Sequence, residues 1–339
     1  MASVVVNVPY GGLFMPPAVA KRLPLKQEEV GWENFRLADP CLLNVVARAC
    51  EAGTVEGPLG GKEIPRRTLV SYAFSPLVAD PLGYLAAELS PGRGGEAERE
   101  GSAPGAGGGT GKGTGTAGGE ARDGAPGGGA AKARTLPPRA PAIIPRSTGD
   151  VPLFGWSDRE REIILKKSAV PYLEELRDRC GELLDRGGLV LLVTARSYAS
   201  APWDFESDRR YPRPQLGIGT RDGTMTPRGL AEFVGRTFRA FGLWPELDWP
   251  HSGAWAPPEL ASCPRLLCCT VSFRRDLYMD ERTGRLSERS EGLSRLLRTV
   301  LGLLENQLDE VVRIRYRRRH PPKPPSMIIK ASPGPGQGS

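Results

Sequence analysis

The segment GGLVLLVTARSYASAPWDFE, at residues 187–206, places polar side chains directly after an apolar run. A strand over residues 189–195 would bring Thr194, Arg196 and Ser197 to its carboxyl end, where open α/β sheets bind their ligands. Hydrolytic chemistry at such a position needs a metal ligand or a general base. Arg196 can be neither, because its guanidinium group stays protonated and has no lone pair for a metal ion.

Few other side chains are suited to metal or base chemistry. The chain has two histidines, His251 in the segment WPHSGAW and His320 near the C-terminus, where we expect it to be solvated. Its six cysteines form no CxxC pair, and Cys268 and Cys269 fall inside an apolar run. We therefore expect free thiols in a reducing compartment, packed in the interior.

The chain is basic, with a net charge of +7 and a pI of about 9.2. Much of the excess lies between Arg313 and Lys323, in RIRYRRRHPPKPP, which would bind nucleic acid, an anionic surface or an import receptor, or would simply be solvated. No run of about 18 apolar residues predicts a membrane span. MASVVVNVPYGG lacks a basic n-region and is predicted to be a first strand, so we expect a cytoplasmic protein, with nuclear import through the tail as an alternative.

Composition divides the chain into three parts. Residues 90–140 consist mainly of Gly, Ala, Pro, Glu and Thr and are predicted to be a disordered insertion. The segment GTGKGT within them is not a phosphate-binding loop, because Gly113 follows Lys112 and no strand precedes it. Residues 1–89 and 141–312 are predicted to form one α/β domain, and residues 313–339 a flexible, basic, Pro-rich tail.

The predicted domain alternates strands and helices. Asp39 is the expected N-cap of a helix with Pro40 in its first turn. Ser157 and Glu160 form a capping box for a long helix that reaches residue 184, with an interruption at Pro171. The predicted strands span residues 4–8, 66–74, 189–195 and 266–273. This alternation predicts an α/β fold with a mixed, mostly parallel sheet and helices on both faces.

Seven segments, in this order, resemble the N-formylglutamate amidohydrolase family: VNVPYGGLFMPP, ADPCLLNVV, PRRTLVSYAF, AVPYLEELRD, LLVTARSYAS, RRYPRPQLGIGT and VSFRRDLYMDERTG. The most specific of them are RPQLGIGT and RRDLYMDE. The resemblance implies a zinc-dependent amide hydrolase with a phosphorylase/hydrolase-like architecture related to zinc carboxypeptidases. Zinc in such enzymes polarises the carbonyl and lowers the pKa of a bound water, while a carboxylate shuttles the proton.

The chain departs from the family pattern at the positions that carry this chemistry. Tyr10 and Arg196 stand where the family has histidines, and Ser272 replaces its proton-shuttling glutamate. Ser71 begins the segment that replaces Asp-x-Asn-Arg, and Leu173 replaces a histidine of the long helix. We therefore assign no catalytic residue and no metal ligand.

Three polar residues of the family's set remain, namely Asp39, Arg67 and Arg275. Together with Arg196 they would form an anion pocket, because arginine pairs well with carboxylate or phosphate. The alternative is that these arginines form salt bridges with Asp39, Asp276 or other acids of the fold, and that Asp39 serves only as an N-cap.

These features predict an N-formylglutamate amidohydrolase-like pseudoenzyme without a cofactor, which binds or scaffolds a protein partner or an anionic small molecule. One alternative is a zinc-dependent hydrolase of N-formyl or N-acyl amino acids whose altered centre recruits His251, Asp39 and a cysteine. WPHSGAW matches the family's first-turn motif, but its order along the chain places it at a later turn, so we interpret the match as coincidence. A weaker alternative is binding of nucleic acid or an anionic surface through the basic tail.

Overall fold

A computed structural model of the chain describes residues 2–55, 62–64, 67–83, 147–149, 151–206, 208–221, 223 and 226–319. The predicted insertion, residues 90–140, and His320 lie outside these residues, so the predicted domain boundaries stay a prediction. The strands are β1 Ser3–Val8, β2 Gly53–Val55, β3 Lys62–Ile64, β4 Thr68–Ser71, β5 Val190–Tyr198, β6 Leu216–Gly219, β7 Pro245–Leu247, β8 Leu266–Arg274, β9 Met279–Asp280 and β10 Arg285–Leu286. The α-helices are α1 Pro17–Ala20, α2 Gln27–Leu37, α3 Pro40–Cys50, α4 Asp158–Lys167, α5 Ala169–Asp185, α6 Arg228–Arg239 and α7 Arg289–Arg319.

The centre of the fold is a six-stranded sheet with the order β4-β1-β5-β8-β6-β7. Every neighbouring pair is parallel except β6 and β8, which are antiparallel. The strands β9 and β10 form a small antiparallel pair, as do β2 and β3. The prediction of a mixed, mostly parallel sheet is confirmed.

Helices cover both faces of the sheet because the central strands are apolar on both sides. Val4, Val6 and Val8 of β1 pack in a core with α3, α6 and α7. Val5 points to the other face and packs in a second core with α5. The predicted α/β architecture is confirmed, and it fixes which strand positions face which helices.

Helix α3 begins as predicted: Asp39 is its N-cap, Pro40 lies in the first turn, and the Asp39 carboxylate accepts the amide hydrogen of Leu42 at 2.7 Å. The capping box of Ser157 and Glu160 is likewise present at α4.

The predicted interruption of the long helix lies three residues before Pro171. The helix breaks at Ser168, so that Pro171 falls in the first turn of α5. Proline is tolerated in the first turn because backbone N–H groups there have no acceptor within the helix, so the missing N–H costs no hydrogen bond.

Helix α7 continues to Arg319 and so includes the first seven residues of the segment predicted to be a flexible tail, residues 313–339. Arginine is a good helix former, and the segment RIRYRRR contains no glycine or proline.

Among the described residues, no helix combines the length and the apolar composition that a membrane span requires.

Candidate functional site

The strands that carry the predicted site positions end at one edge of the sheet. Strands β1, β4, β5 and β8 are parallel, with Val8 level with Ser71 and Arg196 level with Ser272. Tyr10 follows β1 by two residues. The structure therefore brings Tyr10, Ser71, Arg196 and Ser272 to the carboxyl edge, whereas Leu173 lies on α5 and packs against the second core.

Five polar residues occupy the sheet face that α5 covers, and we call them the polar layer. They are Asn7, Thr194, Arg196, Thr270 and Ser272, and each side chain is at most 4% exposed. They continue the apolar rows of the second core, because side chains alternate between faces along a strand. Thr194, Arg196 and Ser272 were predicted from the sequence. Asn7 and Thr270 were not, although each is a polar residue within an otherwise apolar strand.

Hydrogen bonds join the polar layer to helix α5. Asn7 donates from Nδ2 to Oγ1 of Thr194 at 3.3 Å and accepts a hydrogen bond from the hydroxyl group of Tyr172. Burial raises the pKa of Tyr172 well above its ordinary value, so that its hydroxyl stays protonated and acts as a donor. This part of the layer is a satisfied structural network.

Arg196 is buried against Tyr10. Its guanidinium carbon lies 5.2 Å from the centroid of the Tyr10 ring, within the range of a cation–π interaction. The Tyr10 hydroxyl donates to Oδ1 of Asp80 at 3.0 Å, and the amide of Leu82 donates to the same oxygen at 3.1 Å. The phenol ring thus packs between a fixed cation and a fixed carboxylate, and it is only 7% exposed.

His251 contacts the polar layer. Its Nδ1 atom lies 3.3 Å from Oγ of Ser272, and its ring packs edge-to-face on Tyr198 with centroids 5.7 Å apart. The loop that carries it crosses β6 closely, because a Cβ atom at Gly219 would lie 2.5 Å from the carbonyl oxygen of Gly253 and 3.0 Å from that of His251. The motif around His251 was interpreted as coincidence, and only the alternative of an altered centre used this histidine; the path of the loop is what brings it to Ser272.

Arg275 and Asp39 form a buried structural pair. The Nε atom of Arg275 lies 3.4 Å from Oδ2 of Asp39, which also accepts a hydrogen bond from the Tyr278 hydroxyl. The guanidinium group donates to the carbonyl oxygens of Phe35, at 2.6 Å, and Ala38, at 3.2 Å. Both charged groups are thus paired within the fold, which agrees with the alternative that Arg275 forms a salt bridge with Asp39.

Arg67 lies far from Arg196. It precedes β4, and the register places Thr68 level with Leu192, so Arg67 is about five residues, or roughly 16 Å, behind Arg196 along the strand direction. Its Nε and Nη2 atoms donate to Oε2 of Glu305 at 3.0 and 2.8 Å. The predicted anion pocket of Asp39, Arg67, Arg196 and Arg275 is therefore not assembled.

The donor set at this edge does not fit a zinc ion. Zinc takes imidazole, thiolate or carboxylate ligands, and the described part of the chain contains no group of three or more such side chains placed to hold a metal. Burial raises the pKa of the Cys41 thiol to about 11 and that of Cys269 to about 12, so both are protonated at neutral pH. Arg196, whose guanidinium group lies over the Tyr10 ring, offers no metal ligand.

We expect the buried cysteines to react slowly in the native protein. Burial raises the pKa of Cys180 to about 12 and that of Cys268 well above its ordinary value. Iodoacetamide at pH 7.5, followed by mass spectrometry, should modify the partly exposed Cys263 first and should modify Cys180, Cys268 and Cys269 only after denaturation. Rapid native labelling of Cys268 or Cys269 would contradict this and would favour a reactive thiol.

An open pocket of about 390 Å³ lies beyond the carboxyl end of β5. Ser200, which follows β5, forms one side, and the hairpin of β9 and β10 forms the other. The carboxylate of Glu281 accepts hydrogen bonds from the Ser200 amide and hydroxyl at 2.7 and 2.8 Å. Neither Tyr10 nor Arg196 lines this pocket.

Comparisons with known proteins agree with the resemblance seen in the motifs. Residues 131–279 match the family model of N-formylglutamate amidohydrolase. A crystal structure of N-formylglutamate amidohydrolase from Ralstonia eutropha JMP134 is similar to the chain with a TM-score of 0.59 and 19% identity, covering 91% of this chain and 94% of that one. A gene product from Agrobacterium tumefaciens is similar with a TM-score of 0.52 and 14% identity, covering 91% and 92%. No curated protein sequence matches the chain significantly. The resemblance to this family and the fold are confirmed.

Proposed function

We propose that this chain, whose residues 131–279 match the N-formylglutamate amidohydrolase model, is a catalytically silent relative of those enzymes that acts by binding or scaffolding a partner. The observation that carries the proposal is the packing of Arg196 on Tyr10 beside the buried Ser272. A phenol, a guanidinium group and a hydroxyl occupy the positions where the resemblance implies imidazoles and a carboxylate.

The chemistry of these three groups supports the proposed lack of hydrolytic activity. The guanidinium group has no free lone pair for zinc, and its charge repels a dication. The Ser272 hydroxyl cannot accept a proton as a carboxylate does at neutral pH, and Ser272 is fully buried. Tyr10 fills the space beside Arg196 and is held there by Asp80.

We expect the purified full-length chain to contain no stoichiometric zinc and to hydrolyse neither N-formyl nor N-acyl amino acids, even with added zinc. Elemental analysis and an assay of amino-acid release test these two outcomes separately. One zinc ion per chain, together with turnover that a chelator abolishes, would contradict the proposal.

A hydrolase with an altered centre is the second candidate, and the contact of His251 with Ser272 is the observation in its favour. Asp39 does not support it, because its carboxylate is engaged by Leu42, Tyr278 and Arg275. Any turnover found should disappear in His251→Ala if this candidate is correct. Turnover that survives in His251→Ala would reject the role of the histidine.

Binding of nucleic acid through the basic tail is a weaker candidate that rests on the charge between Arg313 and Lys323. Chains ending at residue 312 and at residue 319 separate the helical arginines from the segment beyond them. If the tail binds, both truncations should weaken salt-sensitive binding of a duplex oligonucleotide. Unchanged binding by the chain ending at residue 312 would exclude this role. Cytoplasmic location and nuclear import stay predictions from the sequence.

A further inference from the structure

We propose that the chain forms a dimer with a second copy of itself through the exposed edge of β7, across a twofold axis that pairs Arg210 of one copy with Glu246 of the other. This surface consists of Arg210, Tyr211, Trp244, Glu246 and Leu247, and we call it the β7 face. The inference goes beyond the proposed function, which leaves the partner unnamed, and it does not depend on the absence of catalysis.

Large apolar side chains are exposed at the β7 face. Strand β7 is the last strand of the six-stranded sheet, so no described strand pairs with its outer side. Trp244, directly before β7, is 66% exposed, and Leu247 at its end is 48% exposed. Tyr211 is 72% exposed. Apolar side chains gathered at a sheet edge mark a surface that associates with another molecule.

The loop that carries Tyr211 spans the length of β7. At one end of the loop, Oδ2 of Asp208 accepts a hydrogen bond from Nε1 of Trp249 at 2.8 Å, just beyond β7. At the other end, Oε1 of Gln215 accepts one from the amide of Trp244 at 3.3 Å, just before β7. Tyr211 lies between these two anchors, so it belongs to the same surface as Trp244.

Opposite charges lie next to each other on the β7 face. The guanidinium carbon of Arg210 lies 4.6 Å from the centroid of the Trp249 ring, and Nη2 of Arg210 donates to Oδ2 of Asp208 at 2.6 Å. The hydrogen bonds to Asp208 raise the pKa of Arg210, and the Glu246 carboxylate adds to this effect, so Glu246 lies within electrostatic range. The Arg210 side chain is 65% exposed, and Glu246 is exposed as well.

A surface with this arrangement of charges is complementary to itself. In a dimer with twofold symmetry the same patch meets itself, so each contact between two different residues occurs twice. A twofold axis that passes midway between Arg210 and Glu246 sets each arginine against the glutamate of the other copy. The same axis brings Tyr211 and Trp244 into the contact, and tyrosine, tryptophan and arginine are the residues that most often anchor protein interfaces.

Side chains rather than paired backbones would hold this dimer together. Pro245, the first residue of β7, has no amide hydrogen to donate to a further strand. We therefore expect a contact that depends on the anchors and the charge pair, not an extension of the sheet.

Sedimentation equilibrium of the full-length chain tests the proposal, and we expect a shift from monomer to dimer between about 1 and about 200 µM. Trp244→Glu should weaken association by roughly 30-fold or more, the loss typical of an interface anchor. Trp32→Glu is the matched control, because Trp32 is a tryptophan of similar exposure, 57%, that lies on α2. It should leave the affinity within roughly twofold of the native value.

An exchange of charges tests the proposed symmetry. Glu246→Arg and Arg210→Glu should each weaken self-association roughly tenfold or more, because like charges then meet at both contacts. An equal mixture of the two variants restores opposite charges at both contacts, so it should form a dimer about as tight as the native one. Circular dichroism establishes that each variant is folded.

A native chain that remains monomeric at the highest concentration would overturn the proposal and leave the β7 face to a different protein. A dimer that Trp244→Glu does not weaken would overturn it too, as would charge variants that stay monomeric when mixed. If Arg210→Glu does not fold, Glu246→Arg is compared with Glu246→Asp, and equal affinities would then reject the charge pair. These outcomes are separate from catalysis: a dimer that binds zinc and hydrolyses substrate would reject the proposed function alone.

Discussion

Replacing Gly12 with alanine is expected to lower the free energy of unfolding by about 3 kcal/mol or more, because the new methyl group would overlap the main chain of a neighbouring strand exit. A Cβ atom at Gly12 would lie 2.1 Å from the carbonyl carbon of Ala73 and 2.4 Å from the carbonyl oxygen of Tyr72. Backbone atoms cannot move aside as the end of a flexible side chain can. The turn after β1 and the segment after β4 would have to separate.

The same separation should disturb the site. Phe14 donates its amide hydrogen to the carbonyl oxygen of Ala73 at 3.1 Å, and Ser75 returns a bond to Phe14 at 2.8 Å, so the two segments run side by side. Tyr10 lies at the start of this turn and packs on Arg196. We therefore expect Gly12→Ala also to expose the Tyr10 ring.

Gly31→Ala is the matched control. Gly31 lies within α2, with no atom within 4 Å of its added Cβ, so alanine should stabilise the protein by about 0.5–1 kcal/mol through helix propensity. Both variants are measured by urea unfolding monitored by circular dichroism. A loss below about 1 kcal/mol for Gly12→Ala would show that the two segments can relax apart, contrary to the close packing described above.

Local patterns in the sequence predicted the elements well because their causes are local. The apolar residues of β1 and β8 favour strands that are buried on both faces. Asp39 before Pro40 marks a helix start because the side chain accepts an orphan amide hydrogen and proline lacks the N–H that would be unsatisfied there. These signals fix where elements begin, and they are independent of distant residues.

The order and direction of the strands could not be predicted in the same way. Strand β6 pairs antiparallel with β8, although most of the sheet is parallel, and this depends on contacts between residues more than 50 positions apart. The contact between His251 and Ser272 follows from that pairing, because Gly217 lies opposite Ser272 and the histidine loop crosses β6. No local pattern carries this information.

The predicted place of Arg67 in the anion pocket could have been corrected from the sequence alone. Its position directly before a strand, rather than after it, places it at the amino edge of a parallel sheet. Ligand sites in such sheets lie at the carboxyl edge. Strand direction would therefore have separated Arg67 from Arg196 without a structure, and the pairing with Glu305 is the structural outcome of that separation.

Replacing Arg275 with methionine is expected to lower the free energy of unfolding by about 3–5 kcal/mol, the range seen when one partner of a buried ion pair is removed. Methionine keeps much of the length and apolar volume of the side chain. It leaves the Asp39 carboxylate without its cation and removes the donor to the carbonyl oxygens of Phe35 and Ala38. Arg275 is 3% exposed, so water cannot readily replace these bonds.

The consequence should spread from the site to α3. Asp39 caps that helix, and α3 packs against β1 and α7 in the larger core. Combining Arg275→Met with Asp39→Asn should cost less than the sum of the single losses, because asparagine can still cap the helix and no longer leaves an unpaired buried charge.

Arg282→Met is the control: its side chain is 86% exposed and 3.9 Å from its acidic partner, so no measurable change is expected. Strictly additive losses for Asp39 and Arg275 would mean that the two residues stabilise the fold independently. Strand β8 carries Ser272 and leads directly into Arg275. Additive losses would therefore mean that the Arg275–Asp39 pair does not anchor this strand to the start of α3.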